Sequence, residues 1–172
     1  MKKILNLSIL FIIFSFVFTF CSRDESVDSL GFFQINGAEK ININNVNVHE
    51  ELNYNSTNTN HYTFIFTHIR NSTVNGIKTS KTVQLEVELP STENLNGDFN
   101  YNSNSRKIVF GGTWYMNYDG TSQPIEQISE GTCTIKRNST KNFTVNFLFK
   151  TLNGKLISGE YSGNVVLHDA NN

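Results

Sequence analysis

Beyond residue 30 the hydrophobic positions alternate with polar ones, and no stretch repeats at helical spacing between helix start and stop signals. The cleanest run sets Val83, Leu85, Val87 and Leu89 against Gln84, Glu86 and Glu88. One apolar and one charged face predict a strand with one side in water, with Glu86 and Glu88 on the wet side. Pro90 lacks a ladder donor and ends that strand. Segment 61–69, HYTFIFTHI, is apolar on both faces and predicts a central strand or one lining a cavity. Asn75-Gly76 between the two predicts a hairpin turn. Further strands are predicted over 31–36, 39–48, 106–118, 131–136, 142–151 and 155–168. Within 39–48 the parity slips from Ile41 and Ile43 to Val46 and Val48, which predicts a bulge at Asn44-Asn45. Gly111-Gly112 predicts a bend, a bulge or a close backbone approach. About eight strands separated by Asn, Gly and Ser turns predict an all-β fold, an antiparallel sandwich or lipocalin-like barrel.

The last two segments fix a register. Phe143, Val145, Phe147 and Phe149 share one parity, and so do Ile157, Tyr161, Val165 and Leu167. Facing residues of an antiparallel pair lie on one side of the sheet. Both apolar rows enter one core only if a three-residue loop, Leu152-Asn153-Gly154, pairs Phe149 with Ile157. That loop is a type I turn closed by a bulge with Gly154 at positive φ. Asn146 and Lys150 then face water. Leu148, Leu156 and Val166 interrupt the pattern and call for a covering layer or an interface.

The N-terminus has a different grammar. Met1-Lys2-Lys3 is followed by an uncharged run to Cys21 dominated by Ile, Leu and Phe, the plan of a secretory signal peptide. The run is near the lower limit of about 17–25 residues for a spanning helix, so a retained anchor is the rival reading. Residues 22–30 are polar and aperiodic and read as a flexible tether. The expected organisation is a signal segment over 1–21, a tether over 22–30 and a single β domain over 31–172. Roughly 150 residues can hold a core without cross-links.

The junction Phe18-Thr19-Phe20-Cys21-Ser22 resembles a bacterial lipoprotein signal. That resemblance implies that Cys21 is lipidated, becomes the mature N-terminus and anchors the chain to a membrane, with Ser22 pointing to the outer membrane. Phe20 departs from the small residue usual before the cysteine, and ordinary cleavage after Cys21 is the alternative. The C-terminal third, GTCTIKR from Gly131, NFTVNFLFKT from Asn142 and LNGKLISGEYSGNVVL from Leu152, resembles an element of small uncharacterised Bacteroidetes lipoproteins. It implies a β-sandwich or lipocalin-like barrel and transfers no catalytic residue. Asp28-Ser29-Leu30 resembles the O-glycosylation sites of exported Bacteroidetes proteins, which makes Ser29 a candidate for modification.

Composition narrows the chemistry. A formal net charge of −1, with 17% charged residues, gives no global pull toward nucleic acid or anionic membrane. Cys133 has no partner within the folded part and shares a strand face with Ile135, so it reads as a buried hydrophobe. His49, His61, His68 and His168 show no metal-ligand spacing. His61 and His68, an odd seven apart on one strand, fall on opposite faces about 23 Å apart, and solvated or locally hydrogen-bonded imidazoles are expected. No nucleophile elbow, phosphate loop or dinucleotide fingerprint occurs, so no catalytic residue and no cofactor are expected. Tyr101, Trp114, Tyr115 and Tyr118 lie near the loop 119–127 and are candidate binding aromatics. Trp114, Met116 and Tyr118 also share one parity, as a core face requires.

The expected function is a non-enzymatic cell-envelope lipoprotein that binds a glycan, a lipid or a partner protein. A structural accessory subunit without a ligand is the alternative, and a hydrolase a distant one. A deep apolar cavity inside the strands favours ligand binding. A filled core with one exposed aromatic patch favours a partner protein.

Overall fold

A computed structural model describes residues 31–71, 78–117 and 126–169, with side chains described except at 71, 78, 113–117 and 126. Cys21, Ser29, the Asn75-Gly76 turn and Tyr118 lie outside the described residues. The fold is all-β, as the alternation predicts. Its strands are β1 (Gly31–Ile35), β2 (Ile41–Asn42), β3 (Asn45–Glu51), β4 (Thr59–Asn71), β5 (Lys78–Pro90), β6 (Gly97–Asn100), β7 (Lys107–Asn117), β8 (Glu126–Ser139), β9 (Asn142–Thr151), β10 (Leu156–Asn164) and β11 (Val166–Asp169). They form one strongly curled sheet, a half-barrel, in the order β11-β3-β4-β5-β7-β6-β8-β9-β10-β1-β2.

Eleven described strands exceed the expected eight for identifiable reasons. β6, only four residues long, carries too little alternation to be seen. The other two arise where one extended segment changes partner. Segment 39–48 breaks at the parity slip: Ile41 and Asn42 pair with β1, whereas β3 pairs with β4. Segment 155–168 breaks at Val165, so β10 pairs with β9 and β1 while β11 pairs with β3. The β11–β3 pairing is parallel, as is the single bridge between β6 and β7, so the sheet is mixed rather than purely antiparallel. The same two segments carry both ends of the sheet. Near Gly31 the Ile43 amide donates to the Gly31 carbonyl at 2.9 Å and the Asn44 amide to the Thr67 carbonyl at 3.1 Å.

The concave side is filled by aromatic and branched side chains. Phe33, Phe64, Phe66, Phe99, Phe143 and Phe149 are all fully buried. The rings of β4 meet those of the opposite wall: Phe64 lies edge-on to Phe143 at 5.6 Å, and Phe66 lies 5.3 Å from Phe147. Tyr62, Glu50 and Arg137 add a polar bridge between β3, β4 and β8. The Tyr62 hydroxyl donates to Glu50 Oε1 at 2.9 Å, and Arg137 donates to both carboxylate oxygens at 3.0 and 3.2 Å. β4 is central, between β3 and β5, and β5 ends at Pro90, both as expected.

The C-terminal hairpin follows the predicted register. Phe149 faces Ile157, Phe147 faces Gly159 and Phe143 faces Gly163. The Gly154 amide donates to the Thr151 carbonyl at 2.9 Å, and Gly154 has φ 78°. Gly154→Val should therefore lower stability by about 1–2 kcal/mol, the left-handed penalty for a residue with a Cβ. Urea denaturation measures it, and an unchanged midpoint would refute the turn assignment. Gly31 is needed for a different reason. A Cβ there would lie 2.7 Å from the Tyr161 Cα and closer still to the Glu160 carbonyl oxygen, so β1 can approach β10 only without a side chain.

Candidate functional site

Two regions of the convex surface gather chemistry. The first spans β6, β8, β9, β10 and β1. Antiparallel pairing puts Asn100 opposite Thr132, Thr132 opposite Leu148, Leu148 opposite Ser158 and Ser158 opposite Gln34. One row of side chains thus crosses five strands. Beside it run Glu130, Lys150 and Leu156, with Lys150 Nζ 3.0 Å from Glu130 Oε1. On the other side run Asp98, Thr134, Asn146, Glu160 and Phe32. The Thr134 hydroxyl donates to Asp98 at 2.6 Å, and Lys40 Nζ stands 3.7 Å over the Phe32 ring.

Two open hollows lie along this row. One, of about 440 Å³, takes in Tyr101, Asn102, Glu130 and Leu156. The other, of about 310 Å³, takes in Phe32, Gln34, Asn146 and Glu160. Thr132 and Leu148 line both, which makes them one furrow. Leu148 is 52% and Leu156 50% exposed, so neither is used by the core.

Tyr101 reaches the furrow because a network holds the turn after β6. The Tyr101 amide donates to the Gly131 carbonyl at 3.0 Å, and the Asn100 amide to the Arg106 carbonyl at 3.2 Å. Arg106 donates to the carbonyls of Asn94, Leu95, Asn96 and Asp98 and pairs with Glu93 at 3.0 Å, its guanidinium 4.4 Å over the Phe99 ring. Sequence reading missed both Arg106 and the furrow. Besides Tyr101, the out-of-phase Leu148 on β9 and Leu156 on β10 pointed toward it, whereas Val166 on β11 lies beside β3.

The second region corrects an expectation. Glu86 and Glu88 are not a wet face: their side chains are 23% and 15% exposed and they clasp His61, itself 10% exposed. His61 Nε2 lies 3.4 Å from Glu86 and Nδ1 3.7 Å from Glu88, beyond hydrogen-bond reach, leaving Nδ1 buried without a partner. Lys107 pairs with Glu88 at 3.0 Å, Gln84 donates to Glu86, and the Tyr54 ring meets His61 edge-on at 4.7 Å. The His61 contact, outweighing the opposing effect of burial, holds the Glu86 carboxyl below its usual range. A group with a depressed folded pKa stabilises above its unfolded pKa and ceases to as pH falls through the folded one. Acid titration should therefore lose this contribution below about pH 4.5, and His61→Gln should flatten that limb. An identical acid limb in the variant would contradict the contact's role.

The other expected residues are dispersed. In register Trp114 falls opposite Thr82 and Tyr115 opposite Lys81 on β5, away from Tyr101. His68 Nδ1 donates to the Asn42 carbonyl at 2.7 Å. His49 and His168 stack at 4.6 Å across the parallel β3–β11 pair, a contact no spacing rule foresees because it depends on a parallel return. Burial first, then His168, pushes the His49 pKa down. Cys133 is buried beside Ile135's row, as expected. Among the described residues no group of three or more His, Cys, Asp or Glu is placed to hold a metal ion. Protein-family models, curated proteins and solved structures offer no match to the chain.

Proposed function

We propose that this chain is a non-enzymatic cell-envelope lipoprotein, anchored through Cys21 and probing its surroundings with the furrowed outer face of its sheet. The observation that carries the reading is the contrast between inside and outside. The concave side is occupied by phenylalanines, whereas Tyr101, Leu148 and Leu156 sit exposed among polar groups in an open furrow. Binding at the surface, to an envelope glycan or protein, accounts for both; a lipid held in the interior accounts for neither. The leader plan supports the anchor, and Ser29 in the tether is proposed as a glycosylation site. An accessory subunit docking through Leu148, Leu152 and Leu156, all half exposed or more, is the second reading.

The anchor is tested by fractionation in the native host. The wild type should sediment with membranes and yield a lipid-modified N-terminal peptide at Cys21. Cys21→Ser should leave the protein soluble. A free Ser22 N-terminus in the wild type would rule out the lipoprotein reading.

A further inference from the structure

We infer that the furrow holds a neutral oligosaccharide laid across the strands from Tyr101 to Phe32, an inference that rests on the surface-binding reading above. Four strand spacings separate β6 from β1, so the row from Asn100 to Gln34 is about 19 Å long. Its occupant is therefore elongated rather than compact. Among the described residues, the side chains of Asn100, Thr132, Asn146 and Ser158 bond to no other protein group, so amides and hydroxyls stand ready both to donate and to accept. Polar groups of both capacities, interrupted by Leu148 and Leu156 and flanked by the Tyr101 ring, suit a chain whose units show hydroxyl edges and C–H faces.

Charge excludes other occupants. Lys150 is neutralised by Glu130 and Glu160 is unpaired among the described lining residues, with Asp98 beside the row and Lys40 over Phe32 at its end, so the furrow has no cluster of cations to draw an acidic glycan or a nucleic acid. An extended peptide fits less well, because the backbone groups of β8, β9 and β10 are committed to their ladders and offer no edge for strand addition.

The test is affinity electrophoresis of the full-length protein, in a detergent without a sugar headgroup, through gels containing β-glucan, xylan, mannan or starch, with polygalacturonate as the acidic control. Retardation is expected in at least one neutral polysaccharide and not in polygalacturonate. Asn146→Ala with Ser158→Ala should weaken it roughly tenfold or more, since each lost hydrogen bond is worth up to about a factor of ten. Tyr101→Ala should weaken it as well, and all variants should melt as the wild type does. The inference is overturned by no retardation in any neutral gel, by equal retardation in polygalacturonate, or by retardation that the double variant leaves unchanged. If no polysaccharide retards the protein but Leu148→Glu releases a co-purifying envelope protein, the oligosaccharide falls while the surface-binding reading stands.

Discussion

Phe64→Ala should lower the unfolding free energy by about 3–5 kcal/mol, the usual loss for a fully buried phenylalanine. Phe64 is 0% exposed and touches Phe66 on its own strand and Phe143 on the opposite wall. Truncation removes apolar burial and leaves a void where the two walls meet, and neighbouring rings on paired strands cannot collapse into it without breaking their ladders. Against a typical total of about 5–15 kcal/mol, such a loss takes the domain near its limit. Leu148→Ala, on the same sheet but outside it, should change stability by no more than about 0.5 kcal/mol. Urea denaturation of both variants measures the contrast. A Phe64→Ala effect below about 1 kcal/mol would mean that the concave side is not the packed core.

Alkali should destabilise the fold steeply. Burial, before any other cause, pushes up the pKa values of Tyr62, Cys133 and Tyr161, with the Glu50 carboxylate adding to the effect at Tyr62 and Asp98 at Cys133. Each group is neutral in the fold: the Tyr62 hydroxyl donates to Glu50, and the Tyr161 hydroxyl donates to the Asn164 carbonyl. Their stabilisation is fully present below the unfolded pKa values, about 8.5 for the thiol and 10 for the phenols, and declines as pH rises past them. In that window the unfolded chain has lost protons that the fold retains, so stability falls with pH, by up to about 1.4 kcal/mol per pH unit for each group. Denaturation at intervals from pH 8 to 11.5 should show the slope, and Tyr62→Phe should reduce it. A flat alkaline limb would contradict the burial of these groups.

Much of the architecture was legible because β grammar is local. Alternation at 83–89 and 142–151 located β5 and β9, and parity alone selected the Gly154 turn and the Phe149–Ile157 register. What alternation does not encode is which strand lies alongside. Glu86 and Glu88 alternate as a solvated face would, yet β4 and β7 bring His61 and Lys107 onto them. The parallel return of β11 to β3, with its His49–His168 stack, depends on contacts between residues far apart in sequence. Of the candidate binding aromatics, Tyr101 proved to line the furrow, but the rest of that site comes from outward positions on five strands whose identities look like ordinary polar surface one strand at a time. The out-of-phase leucines were the visible sign, since a half-exposed leucine at an outward position serves nothing in the core.

Site-specific photo-crosslinking in the native host tests the surface-binding account most directly. A benzophenone amino acid placed at Leu148, at Leu156 or at Tyr101 should trap a discrete envelope component. The same probe at Ile69, 40% exposed on distant β4, should trap none. Adducts from Ile69 with none from the three furrow positions would contradict the account.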